Sequence, residues 1–176
     1  GGGDVIVSTT LSIDTEDGNL NDAGAVNFGA SNIYADAVAY DLTINADTSA
    51  GGAIGGAVTF GLIDDNVSGN KFINDLVITT DAATDGVINI SNGISVDDNA
   101  AGDLGSVTLT GDVRLGASVT IDTEDSNSAN GGAVVLTNAI VSATAAGYDL
   151  TLNTLTTLHD GSGGAYSKGE MGQVTA

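Results

Sequence analysis

Proline, cysteine and tryptophan are absent from this 176-residue chain, and only Lys71, Arg114 and Lys168 are basic. Each absence excludes something. Without cysteine there is no disulfide to staple a small fold, although this does not fix the compartment, since oxidising environments permit disulfides without requiring them. Without proline no strand loses a ladder donor. Three cations cannot make the phosphate-neutralising footprint that holds nucleic acid, and an anionic membrane surface would repel the chain for the same reason. No apolar run approaches the ~20 residues needed to span a bilayer, so direct membrane insertion is not expected. The opening Gly1-Gly2-Gly3-Asp4 lacks the basic and apolar regions of a signal peptide. The expectation is a removed signal or a start inside a longer protein. Aromatics make up only 4% of the chain, so any core must be built of thin aliphatic layers.

What the chain does contain is acid, glycine and aliphatics. Twenty Asp and three Glu give a formal charge of −20, and there are 26 Gly. Charge of this size signals disorder only when hydrophobicity is low. Here 41% of residues are apolar, rich in Val, Ile and Leu, so a core can form. The Asp excess, concentrated with Asn and Gly in turns, points to an extracellular or cell-surface location, where calcium is plentiful.

An internal repeat organises the chain. Residues 11–45 align without gaps to residues 119–153, with 16 of 35 positions identical at an offset of 108. The match extends to Gly3-Asp4-Val5 on Gly111-Asp112-Val113 and to Gly55-Gly56-Ala57 on Gly163-Gly164-Ala165. Residues 1–176 therefore read as a single repetitive β-domain. Residues 3–110 form a first copy and 111–176 a partial second one. The chain is expected to be an excerpt of a longer array or a subunit completed by a neighbour.

A smaller rhythm runs inside the repeat. Strand-like cores centre on Ile13, Ile44, Ile78, Val96, Ile121 and Leu152, at spacings of 31, 34, 18, 25 and 31. A Gly-led second strand follows each: 24–28, 56–60, 86–90, 105–109, 132–136 and a degraded 164–168. Short alternating strands punctuated by Gly, Asn and Asp are an all-β signature. Dominant Gly, Thr, Val, Asn and Asp disfavour helix, with residues 34–42 the one place for a helical turn. Units this small cannot bury an apolar face alone, but stacked units make a continuous core. The expected fold is a right-handed parallel β-solenoid, and the alternative is an antiparallel β-sandwich. The six strand centres should form one inward stack, with Val26, Val58, Ile88, Val107 and Val134 forming a second. A four-coil repeat would rise about 19 Å.

The run from Gly105 to Asp125, with the later GGAVVL (131–136) and YDLTLNT (148–154), resembles the long bacterial β-strand-repeat and filamentous-haemagglutinin-like surface proteins. The resemblance covers nearly the whole chain in repeat style and carries no sharp motif. It implies secretion, a rod-like solenoid and a role in adhesion, matrix or surface-layer construction. It carries over no catalytic residue.

The acidic turns are the candidates for chemistry. Asp14, Glu16 and Asp17, and their copies Asp122, Glu124 and Asp125, are each followed by a polar turn containing Asn19 or Asn127. Calcium takes six to eight oxygens from carboxylates, amides and carbonyls, which makes these six residues the calcium candidates. Their spacing matches neither an EF-hand nor the nonapeptide of calcium-binding β-rolls, and the bland reading is solvated turns that cap local backbone. Asp64-Asp65-Asn66 and Asp97-Asp98-Asn99 are similar groups.

Catalysis has little support. The single histidine, His159, sits beside Asp160 in a Gly-rich stretch with no serine placed against it. Among 23 acids some carboxylate pair at hydrolase spacing is inevitable and therefore uninformative. The GGAIGG run (51–56) lacks the Lys-Ser/Thr ending of a phosphate loop and reads as a tight corner. Tyr34, Tyr40, Tyr148 and Tyr166 could stack on sugars, yet Tyr40 and Tyr148 are equivalent repeat positions, which argues for packing. Thr-x-Thr, the mark of an ice-binding face, is scattered (Thr108-Leu109-Thr110, Thr154-Leu155-Thr156).

The function expected is therefore non-enzymatic: a structural segment of a fibre, sheath or adhesin stalk. It would associate with itself head to tail and bundle with calcium. The alternatives are a carbohydrate-binding module engaging surface glycans and a polysaccharide-active β-helix enzyme.

Overall fold

The computed structural model describes residues 3–16, 21–36, 40–48, 53–64, 72–81, 86–96, 105–123, 132–137, 139–154 and 166–168. Alternation of aliphatic with small polar residues produces seventeen short strands among them, and every ladder is parallel. That pairing excludes the antiparallel sandwich. The chain visits three sheets in strict rotation, which makes a parallel β-solenoid with three strands to each coil.

The first sheet stacks β1 (Val5–Val7), β4 (Asn32–Ala35), β7 (Leu62–Ile63), β10 (Ile94–Ser95), β13 (Val119–Asp122) and β16 (Leu150–Asn153). The second stacks β2 (Leu11–Asp14), β5 (Tyr40–Ala46), β8 (Ile73–Thr80), β11 (Ser106–Thr110), β14 (Val134–Thr137) and β17 (Tyr166–Lys168). The third stacks β3 (Val26–Asn27), β6 (Val58–Phe60), β9 (Val87–Ile90), β12 (Asp112–Leu115) and β15 (Val141–Ala143).

The core is a set of columns, as a period of two on stacked strands requires. In the second sheet Ile13, Ile44, Ile78, Leu109 and Leu136 lie in register, all but half-buried Ile13 fully covered. In the first sheet Ile33, Ile63, Ile94, Ile121 and half-buried Leu152 make the matching column. In the third it is Val26, Val58, Ile88, Val113 and Val141. Phe60 and Phe72 are the largest fully buried side chains in a mainly aliphatic interior.

Two expectations need correction. The expected strand centres all point inward, but not as one stack. Ile13, Ile44 and Ile78 belong to the second sheet, Ile121 and Leu152 to the first, and Val96 makes an isolated parallel bridge to Ile73 after β10. The other series divides likewise: Val26, Val58 and Ile88 are in the third sheet, Val107 and Val134 in the second. The cause is that each coil carries three strands, whereas the rhythm of strand centres and Gly-led strands marks only two of them. Residues 34–42 form no helix among the described residues: Tyr34 and Ala35 end β4, and Tyr40 opens β5.

Corners are tight where the glycines fall. A Cβ on Gly56 would run into the Gly24 carbonyl oxygen of the preceding coil, so the corner reading holds for the described part of the GGAIGG run. Gly111 has φ of +115° and lies against Thr80, so both backbone conformation and space require glycine there.

Candidate functional site

The repeated acidic turns follow β2 and β13. Each strand ends on an Asp that faces an Asn one coil on: Asp14 beside Asn45, and Asp122 beside Asn153. The next residue makes the same bond in both copies. Thr15 N–H donates to the Asn45 carbonyl at 3.0 Å, and Thr123 N–H to the Asn153 carbonyl at 3.1 Å.

The side chains then satisfy local groups. Asp14 Oδ1 accepts the Glu16 N–H at 3.1 Å, a turn closed by its own carboxylate. Glu16 itself is buried. Asp122 Oδ2 accepts Asn153 Nδ2–H at 2.8 Å. The buried Thr123 hydroxyl donates to the Gly132 carbonyl at 3.0 Å, tying the far side of the second turn back to its start. Beside the first turn, Asn45 Oδ1 accepts the Asp47 N–H at 3.3 Å, and the Thr48 hydroxyl donates to the Asn21 carbonyl at 2.8 Å. The geometry of these carboxylates and amides is that of backbone and cross-coil capping.

Of the six calcium candidates, Asp14, Glu16 and Asp122 are described, while Asp17, Glu124 and Asp125 lie outside the described residues. Among the described residues no group of three or more His, Cys, Asp or Glu could hold a metal ion. The two turns also do not stack on one corner, because β2 is in the second sheet and β13 in the first. Asp64 closes the β7 segment. Asp65, Asn66, Asp97, Asp98, Asn99, His159 and Asp160 lie outside the described residues.

Acidic residues missed by sequence reasoning do more for the ladder. Asp75 Oδ1 accepts both the Ser106 N–H at 3.0 Å and the Ser106 hydroxyl at 2.6 Å. One coil back, Asp41 Oδ1 accepts Asn74 Nδ2–H at 2.9 Å and the Asp75 N–H at 3.3 Å. No local motif marks them; only the coil register brings Asp41, Asp75 and Ser106 together.

A shallow open depression of about 150 Å³ crosses the first sheet where Gly93 lacks a side chain between Leu62 and Thr120. Tyr34 is buried, while Tyr40 and Tyr148 are half-buried. Thr108-Leu109-Thr110 sits in the second sheet between Val77-Ile78-Thr79 and Val135-Leu136-Thr137, so Thr108 lies between two valines while Thr110 lies between two threonines, and the paired threonines of Thr-x-Thr do not recur from coil to coil. Among the described residues no helix is long and apolar enough to cross a membrane. Comparison with protein-family models, with curated proteins and with solved structures gives no match.

Proposed function

We propose that this chain is a non-catalytic structural segment of an extracellular or cell-surface fibre, sheath or adhesin stalk. The observation that supports the reading most is the continuity of three parallel ladders through every coil, built from a repeated unit. In such a stack each coil is bonded to the next by the same register. A further coil, from the same polypeptide or from another copy, would be held in the same way. Head-to-tail contact of that kind does not close on itself and gives filaments.

The formal charge of −20 shapes how such filaments behave. Like-charged rods stay apart at low salt, and divalent cations such as calcium reduce that repulsion and bridge them. The buried Tyr34 and the cross-coil bonding of the described acids weigh against sugar recognition as the main role.

Electron microscopy and sedimentation of the purified chain test the reading. Filaments that lengthen with protein concentration and bundle in millimolar calcium are expected. A particle that stays monomeric at every concentration, with and without calcium, overturns it. Saturable micromolar binding on a glycan array would favour the carbohydrate-binding alternative.

A further inference from the structure

The two copies of the repeat do not stack in phase. The six strands β1 to β6 recur as β12 to β17, and each recurs one sheet back. β1 lies in the first sheet and β12 in the third; β2 lies in the second and β13 in the first; β3 lies in the third and β14 in the second. The ladder partnerships move with them. Val5 opposite Ile33 becomes Val113 opposite Val141. Leu11 opposite Leu42 becomes Val119 opposite Leu150, and Val26 opposite Val58 becomes Val134 opposite Tyr166. Corner bonds follow the same rule: Asp36 N–H to the Val7 carbonyl recurs as Thr144 N–H to the Leu115 carbonyl.

The cause is a mismatch of counts. Among the described residues β13 is the eleventh strand after β2, while each coil uses three. One copy therefore fills three coils and two strands of the next, not four coils. The fold tolerates this because all three sheets ask for the same thing, an inward aliphatic alternating with an outward residue that is polar at most positions. A strand pair is specified by its own register, and either sheet can house it.

We propose that further copies continue this rotation, so that an array of the repeat turns its surface by one face per copy and returns to its starting face after three. Each copy would advance about 18 Å along the axis at the ladder spacing of stacked strands. The proposal rests on the reading of the chain as a segment of such an array. Its consequence concerns the partner, a neighbouring rod of the same chain. A patch on one copy reappears on all three faces along the rod, so side-by-side contacts form in three directions and not along one flat side.

The chain has no cysteine, so paired substitutions accept spin labels without background. Ser12→Cys with Thr108→Cys places both labels in one column of the second sheet, three ladder steps or roughly 14 Å apart. Ser12→Cys with Thr120→Cys joins sequence-equivalent positions on different sheets. Strong dipolar broadening is expected for the first pair, and a clearly longer distance for the second. Stacking in phase would reverse that order, with the second pair on one face at about 19 Å, and would overturn the proposal.

The third copy is tested by extending the chain beyond Ala176 with its own residues 69–176, which continues the second copy without a break. A label on the appended copy of Thr120 should then lie on the third sheet, four ladder steps and roughly 20 Å from Arg114→Cys. A longer distance there, with a short one to a label on the first or second sheet, overturns the rotation. These distances are read on dispersed molecules, so missing filaments would count against the structural role and a wrong distance against the rotation.

Discussion

Replacing Ile121 by Asp puts the packing argument at its greatest risk. Ile121 has no exposed surface and lies between Ile94 and Leu152 in the inward column of the first sheet. Truncating a buried aliphatic of this size costs about 2–5 kcal/mol through lost transfer energy and the cavity left behind. A neutral carboxyl in that place, between the aliphatic side chains of Ile94 and Leu152, adds roughly 1–3 kcal/mol for an unsatisfied polar group. The loss is then on the order of 5 kcal/mol, comparable with the whole stability of an ordinary domain.

That loss has a pH dependence of fixed sign. Burial among aliphatics raises the folded-state pKa of the new carboxyl, while the unfolded value stays near 3.9. The mutant's deficit relative to the parent is therefore smallest below about pH 4. It grows by about 1.4 kcal/mol for each pH unit up to the folded-state pKa, and is constant above it. Urea unfolding followed by circular dichroism at several pH values, always as mutant minus parent, measures this.

Two companions sharpen the test. Ile6→Asp alters a residue 53% exposed on the outer side of β1 and should change stability by no more than about 0.5 kcal/mol. Ile13→Asp, at the sequence-equivalent position 108 residues before Ile121, is half-buried and should fall between the two. A loss below about 1.5 kcal/mol for Ile121→Asp, or one no larger than that of Ile6→Asp, would refute the layered-core account.

Gly56→Val should prevent or severely weaken folding, because its side chain would occupy the space of the Gly24 carbonyl. Gly29→Ala, at φ +61° with open space around it, should cost only about 1–2 kcal/mol; equal urea midpoints for the two would refute the corner-contact argument. Asp75→Ala removes the acceptor of two bonds from Ser106 and should lower stability by about 1–3 kcal/mol, while Asp75→Asn, which keeps one acceptor oxygen, should recover part of it. Light scattering at low salt should rise on adding millimolar calcium and fall again with a chelator; no change would remove divalent bridging from the proposed assembly.

The fold class was legible because its signals are local. Gly-led strands such as 56–60 and 86–90, and the 108-residue offset, are visible without any partner. The number of faces was not. β7 and β10 are two residues long, too short to show alternation, so between Ile33 and Ile121 the first sheet shows in the sequence only through the strand centre at Val96, beside β10. The odd spacings of 18 and 25 were the available clue, since true coil-to-coil steps in the second sheet run 31, 34, 31 and 27 residues. Within the acidic turns, sequence pairing identified equivalent residues such as Asp14 and Asp122. It could not say that they occupy different faces, because that depends on coil length summed over the whole repeat, whereas the meeting of Asp122 with Asn153 follows from the single 31-residue step between Ile121 and Leu152.

The ladder direction has a mechanical consequence. Hydrogen bonds between coils run along the solenoid axis, so tension applied along that axis loads them in sequence, like the teeth of a zipper. Each coil that peels away releases some 27 to 34 residues, the spacing between successive inward positions of the second sheet. That is roughly 100 Å of slack at full extension. Folded, the same coil occupied only about 5 Å of length. A rod built this way lengthens about twentyfold, coil by coil, before its covalent backbone bears the load, and dissipates work at every step.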